Sequence, residues 1–241
     1  MTKTANSLLE KLRKRLRERP MRTDLEPVSE AARSLLDAPD RQTVPSIVQV
    51  VGSNGKGSVV HYLSELLSED DRSLVSYTSP HLQNVTERIK VKNRAISNKK
   101  LEELLNSFPS NFLDQYTPFE ALYLTSLKLG LREGADWLLL EAGMGGRWDA
   151  TSALPASWVI LTSLDREHTD YLGEDLREIL REQVTQIPNE GHLITGPLDP
   201  SVTSDGLHPM IVDKNLTHVG LKEKTSADRT NRRLALTAAR L

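Results

Sequence analysis

The 241-residue chain sets 31 Lys+Arg against 33 Asp+Glu, a formal net charge of −2, and contains no cysteine. Near-cancelled charge leaves no global field for nucleic acid or an acidic membrane, and the lack of thiols excludes disulfide frameworks, thiolate metal sites and cysteine nucleophiles. No apolar stretch approaches the roughly 18 residues of a membrane span, and the amino terminus lacks a signal-peptide core. A cytoplasmic protein with neither a nucleic-acid nor a membrane partner is expected.

The first twenty residues predict an amphipathic helix, with Leu8, Leu9, Leu12 and Leu16 on one face and Pro20 as its stop. Six basic residues between Lys11 and Arg19 read as its solvated face, diluted by Glu10 and Glu18. A short helix follows at Pro27–Leu36, then a β-branched strand, Ser46–Val51, bounded by Pro45 and Gly52. From there strands and helices alternate. Helix Lys56–Leu67 leads to strand Ser73–Tyr77, a short strand near Ile89–Val91, and helices Asn98–Ser107 and Phe119–Glu133. Strands Trp137–Glu141 and Trp158–Thr162 precede helix Gly173–Ile187, strand His192–Thr195, short strands near Met210–Val212 and Thr217–Val219, and a terminal helix, Ala227–Leu241. Buried-looking strands separated by helices predict an α/β fold, a mostly parallel sheet of the phosphate-loop type with flanking helices. With no repeat and no linker-like segment, residues 1–241 read as one domain with 1–45 as a helical lead-in.

The strongest local signal is Gly52-Ser53-Asn54-Gly55-Lys56-Gly57-Ser58, set between a predicted strand and a predicted helix. Glycines let backbone N–H groups turn inward as an anion nest, and the helix amino terminus adds partial positive charge. Lys56 can then reach the β/γ-phosphates of ATP, and the Ser58 hydroxyl can ligate Mg²⁺. The spacing departs from GxxxxGK[ST]: Val50 holds the first glycine position, and Gly57 separates Lys56 from Ser58. Taken alone, the glycines could equally make a tight turn.

Four ordered segments carry a family resemblance: the Asn54-Gly55-Lys56-Gly57-Ser58 loop; Thr78-Ser79-Pro80-His81-Leu82 followed by Glu87-Arg88-Ile89; Glu141 through Thr151 (EAGMGGRWDAT); and Glu167 through Gly173 (EHTDYLG). Together they resemble the folylpolyglutamate synthase/dihydrofolate synthase family of the Mur ligase superfamily, over roughly residues 46–196. The resemblance implies an ATP-dependent ligase that joins L-glutamate to dihydropteroate or a folate through an acyl phosphate. It assigns Ser53, Asn54, Gly55, Lys56, Gly57 and Ser58 to ATP. It makes Ser58, Ser79, Glu141 and His168 ligands of Mg²⁺, with Lys56, Glu141 and His168 central to catalysis. It places Thr117, Phe119, Glu120, Arg147, Asp149 and Ala150 against the pterin-bearing substrate, Phe119 stacking and Glu120 accepting hydrogen bonds. Outside their signatures these residues have plainer readings: Glu141 as a satisfied strand-end carboxylate, His168 as a turn cap, Phe119 as core, and Arg147–Asp149 as a solvated pair. His81 and Arg88 border a loop and could serve substrate or solvent.

Two departures stand out. The family usually carries a carbamoylated lysine where this chain has Gln183, and an amide is a weaker oxygen donor for Mg²⁺. Thr230 through Ala235 resembles the closing helix of the family's ATP-binding domain, so the carboxyl-terminal Rossmann-like domain is expected to be absent, or supplied by a separate polypeptide or by self-association. A second class of function therefore stands beside the ligase: a nucleotide- or folate-binding module without turnover. A peptidoglycan-type ligase fits less well, because Gly57 and the Thr-Ser-Pro-His segment point to the folate branch.

Overall fold

The computed structural model describes residues 8–18, 24–69, 72–143, 145–165, 175–184, 187–221 and 225–240. The helices that matter below are α1 (Leu8–Glu18), α2 (Glu26–Leu36), α3 (Lys56–Glu69), α4 (Asn98–Asn106), α5 (Phe112–Gln115), α6 (Pro118–Glu133), α7 (Leu176–Val184), α8 (His208–Lys214) and α9 (Ala227–Arg240). The strands are β1 (Ser46–Val51), β2 (Leu74–Tyr77), β3 (Ile89–Val91), β4 (Arg94–Ala95), β5 (Trp137–Glu141), β6 (Trp158–Leu161), β7 (His192–Thr195) and β8 (Thr217–Gly220). They form one sheet in the order β4-β3-β2-β5-β1-β6-β7-β8. The run from β2 to β8 is parallel, and β3 and β4 continue it as an antiparallel edge. The α/β expectation holds.

Strand β1 explains the layering. Its side chains alternate, so Val48 and Val50 enter the core shared with Val59, Leu63 and Leu67 of α3 and Leu234 and Ala235 of α9. Ile47 and Val51 enter the opposite core with Leu122, Leu124 and Leu129 of α6. Both faces are covered, which is why the strand reads as a continuous apolar run rather than a polar alternation. Helix α6 is buried almost throughout, because it lies between the sheet and the outer helices α1, α2 and α4. A capping box starts it: the Thr117 hydroxyl accepts the Glu120 N–H while the Glu120 carboxylate accepts the Thr117 N–H at 2.6 Å.

The basic face of α1 is not simply solvated. Lys11 pairs with Asp114 at 2.7 Å, Arg13 donates to Asn98 at 2.8 Å, and Arg15 donates to the Tyr116 carbonyl at 3.0 Å, tying α1 to α4 and α5. One strand expectation is overturned: Met210–Val212 lies inside α8. It continues a helical run from Pro200 through the π-helical turn Thr203–Leu207, and Asn215 closes that run in the left-handed conformation. The helical run already under way outweighs the β preference of Ile211 and Val212. Among the described residues no helix is long and apolar enough to cross a membrane.

Candidate active site

In a parallel α/β sheet the loops leaving the carboxyl ends of the strands gather on one edge, where ligands bind. Here β1 runs between β5 and β6, with Val50 opposite Glu141 and Val51 opposite Leu161. That register sets the Gly52–Ser58 loop beside the last residue of β5 and the residues following β6. The loop's shape depends on Gly52 (φ +119°) and Gly55 (φ +86°), conformations that side chains rarely adopt. A Cβ on Gly52 would overlap Thr162 Oγ1 and lie 2.8 Å from the Ser163 carbonyl oxygen. The residues after β6 hold the loop in turn. Thr162 Oγ1 donates to the Asn54 carbonyl at 2.6 Å, Ser53 N–H donates to the Ser163 carbonyl at 3.0 Å, and Asn54 N–H donates to Ser163 Oγ at 3.0 Å.

Lys56 folds over this loop, its Nζ donating to the carbonyls of Gly52 at 2.7 Å and Ser53 at 3.0 Å. The ammonium thus sits on the first turn of the glycine loop itself. Ser58 is exposed in the first turn of α3.

Glu141 is a buried carboxylate at the end of β5, 7% exposed. Ser79 N–H donates to its Oε2 at 2.8 Å, and the Gly57 N–H also donates to the carboxylate. Burial pushes its pKa above the usual carboxylate range, against the two N–H groups and nearby Lys56, which pull it down. Gly57, which breaks the common phosphate-loop spacing, has a reason here: a Cβ would lie 3.3 Å from Glu141 Oε1. Gly57, Ser79 and Glu141 line a cleft of about 240 Å³ together with His61, Lys90 and Asn93. Ser79 and Glu141, which the resemblance names, thus meet each other at the strand ends beside Gly57.

The residues read as substrate contacts are drawn further inward. Asp149 is buried: Oδ2 accepts Gly143 N–H at 2.8 Å, while Oδ1 accepts the N–H and hydroxyl of Thr151 at 2.9 and 2.6 Å. It shapes the glycine-rich loop and caps the short 3₁₀ turn Ala150–Ser152, in which Ala150 is buried. Arg147 lies over the exposed Trp148 ring at 4.8 Å and meets Glu182 Oε1 at 3.4 Å. Glu120 is buried, and its Oε2 accepts the Thr117 N–H in the capping box. Phe119 packs edge-on to Tyr77 at 5.2 Å and lies against Gly143, joining this helix start to the glycine-rich loop. Arg88 Nε donates to His81 Nδ1 at 2.9 Å; burial, then the Arg88 charge, lowers the His81 pKa. Glu87 accepts the N–H groups of Leu82, Gln83 and Asn84, which hold its pKa below the usual range. His168 and its signature, residues 167–173, lie outside the described residues.

Three further residues support the site without having been singled out as part of it. Asn231 of α9, 8% exposed, lies against Gly55, where any Cβ would fall 2.6 Å from its amide. Gln49 of β1, fully buried, donates from Nε2 to Thr151 Oγ1 at 2.9 Å and Ser152 Oγ at 2.8 Å. Gln183, noticed only as a departure from the family, accepts the Gly52 N–H on its Oε1 at 3.1 Å. A buried polar residue in the middle of an apolar strand is the sequence signal that marks Gln49.

A glycine-shaped loop at the end of a central parallel strand, a lysine folded on it and a buried carboxylate across from it define a phosphate-loop α/β domain of the Mur ligase kind. No family model matches the chain. It is 34% identical over 182 residues to a probable bifunctional folylpolyglutamate synthase/dihydropteroate synthase of Haloferax volcanii, covering 73% of this chain and 22% of that protein. It is also 34% identical over 163 residues to the dihydrofolate synthase/folylpolyglutamate synthase of Escherichia coli, covering 67% and 39%. Escherichia coli FolC in complex with ADP superposes with a TM-score of 0.79 at 26% identity, over 100% of this chain and 64% of that one. Mycobacterium tuberculosis folylpolyglutamate synthase shares the fold, with a TM-score of 0.81 at 23% identity over 96% and 61%. The chain belongs to the folylpolyglutamate synthase/dihydrofolate synthase family, and it spans between about a fifth and two-fifths of the length of these curated relatives.

Proposed function

We propose that this chain carries the nucleotide-handling site of an ATP-dependent ligase joining L-glutamate to dihydropteroate or a folate. The observation that carries the reading is the register of β1 and β5, which sets Glu141 against Gly57 with Lys56 folded over the loop between. Family membership supports it, as do the FolC structures with ADP and with DHPP and ADP. Lys56 would exchange its loop carbonyls for phosphate oxygens, and the loop N–H groups and the α3 amino terminus would hold the remaining charge. Transfer of the γ-phosphoryl group to the acid's carboxylate gives an acyl phosphate, from which the glutamate amine displaces phosphate. The protein's part is positioning and electrostatics.

The residues present fit Mg²⁺. Ser58, Ser79 and Glu141 offer hard oxygen donors, and the carboxylate keeps acceptor capacity beyond its two N–H bonds. Among the described residues no three His, Asp or Glu side chains gather into a cage of their own. Mg²⁺ is commonly held by one or two carboxylates plus substrate phosphate and water. When bound, Mg²⁺ neutralises charge on the transferring phosphoryl group.

The alternative, nucleotide binding without turnover, is favoured by one observation: Gln183 spends its amide oxygen on the phosphate loop itself. Calorimetric titration with Mg-ATP tests what the two readings share. Lys56→Ala should weaken binding roughly 30-fold or more, the loss of a charge-assisted contact. Equal binding by variant and parent refutes both. Glutamate-dependent amide formation from dihydropteroate or tetrahydrofolate then separates ligase from binding module.

A further inference from the structure

We infer that Gln183 is a positioning residue that makes the phosphate loop and the glycine-rich loop move as one, so that nucleotide at the first orders the second. The inference rests on the reading of residues 52–58 as a nucleotide site. Gln183 lies in the last turn of α7 and is 3% exposed. A buried primary amide is placed by its partners, and the Gln183 oxygen takes the N–H of Gly52, 131 positions away, at the residue where the chain leaves β1. Gly52 holds φ +119°, so this bond fixes the plane of the first peptide of the loop.

The same helical turn grips the glycine-rich loop. Carbonyls of a helix's last turn have no partner within the helix. That of Glu182 accepts the Arg147 N–H at 2.8 Å. Gly146 lies so close to the Gln183 carbonyl that any Cβ would overlap that oxygen and come within 2.9 Å of the Glu182 oxygen. Arg147 also meets the Glu182 side chain at 3.4 Å. One turn of helix therefore contacts Gly52 through a side chain and Gly146–Arg147 through its backbone. A shift of the phosphate loop around a ligand is passed to the loop that carries Arg147, Trp148 and Asp149. The Gln183 side chain is the link on the phosphate-loop side, and an acceptor oxygen at that position is what the coupling requires.

Hydrogen exchange followed by mass spectrometry, with ADP and Mg²⁺ as the probe, tests this. In the parent chain, saturating Mg-ADP should slow exchange in residues 143–152 at least threefold. Gln183→Met keeps the length and removes the acceptor. It should bind Mg-ADP about five- to tenfold more weakly, the worth of one buried hydrogen bond. At saturation it should protect residues 52–58 but leave 143–152 at the unliganded rate. Gln183→Glu keeps an acceptor oxygen for Gly52 and should restore the protection of 143–152. That arm remains decisive even where the methionine variant folds poorly. Protection of 143–152 in Gln183→Met equal to the parent's overturns the coupling, as does its absence in a parent or Gln183→Glu chain that binds Mg-ADP. A parent chain that binds no Mg-ADP overturns the nucleotide-site reading and the coupling with it.

Discussion

Replacing Gly52 by alanine tests how much of the site is built into the backbone. The residue holds φ +119°, and a sparsely populated backbone conformation costs an ordinary residue about 1–3 kcal/mol. The added methyl would also overlap Thr162 Oγ1, the atom that donates to the Asn54 carbonyl at 2.6 Å and the Val51 carbonyl at 3.2 Å. Relieving that overlap breaks or lengthens at least one of these bonds, each worth about 1 kcal/mol net. The Ser163 carbonyl oxygen, 2.8 Å from the new methyl, belongs to the backbone and cannot rotate away. The sum is about 2–4 kcal/mol, or roughly 5–15 °C in Tm for a chain of this size. Gly57→Ala is the contrast: it needs no unusual φ and meets only the Glu141 side chain, at 3.3 Å, so its loss should stay near 1 kcal/mol or below. Thermal denaturation without ligand measures both. A Gly52→Ala chain that melts within about 2 °C of the parent would refute the account of a loop held under backbone constraint by β6.

Glu141→Gln should weaken Mg²⁺-dependent nucleotide binding more than metal-free binding, because an amide is a poorer ligand for a hard cation; an unchanged ratio of the two affinities by calorimetry makes Glu141 purely structural. The raised pKa of Glu141 fixes the sign of a pH effect. The folded state holds this proton more tightly than the unfolded one, so its contribution is fully present below the ordinary carboxylate pKa of about 4.5 and is lost as pH rises through the raised value. Unliganded stability relative to Glu141→Gln should therefore fall as pH climbs above about 4.5, while Mg²⁺ affinity rises over the same window; the opposite slope in pH-resolved melting counts against the burial argument. Gln49→Leu removes the two bonds to Thr151 and Ser152 and with them a buried amide oxygen that has no partner. Limited proteolysis should cut faster within residues 143–152 with little change in Mg-ADP affinity, and equal cutting rates would deny Gln49 its role as a tether.

Strands β1, β3, β5 and β7 were legible to the residue, because short runs rich in β-branched residues or leucine end at proline, glycine or a polar turn, and all but the half-buried β3 face apolar layers on both sides. The two-residue β4 and four-residue α5 carry no periodicity, and neighbouring elements fix them. The β-branched pair Ile211-Val212 misled because it continues a helical run from Pro200 that ends only at Asn215. At the site, the phosphate loop and Glu141 could be read because sheet geometry brings strand ends together wherever they fall in the chain. Glu120 and Asp149 also have local structural work that the sequence shows: Thr-x-x-Glu is a capping signature, and Asp149 caps its own 3₁₀ turn. Gln183 and Asn231 meet the loop only through packing of distant helices, which no local pattern encodes.

The packing of α9 on α3 bears on the order in which the site is made. The ring of Tyr62 lies under Arg232 at 4.7 Å and its hydroxyl donates to Asp228, 166 positions along the chain. Asn231, between those two helix residues, is what meets Gly55. Contacts of such long separation form late, after the entropy of closing the intervening chain has been overcome. During vectorial synthesis the glycine loop leaves the ribosome long before α7 or α9 exists to support it. The motif nearest the start of the sheet is therefore among the last to take its working shape, and nucleotide present in the cell would bind only a nearly complete sheet and thereby draw its final docking forward.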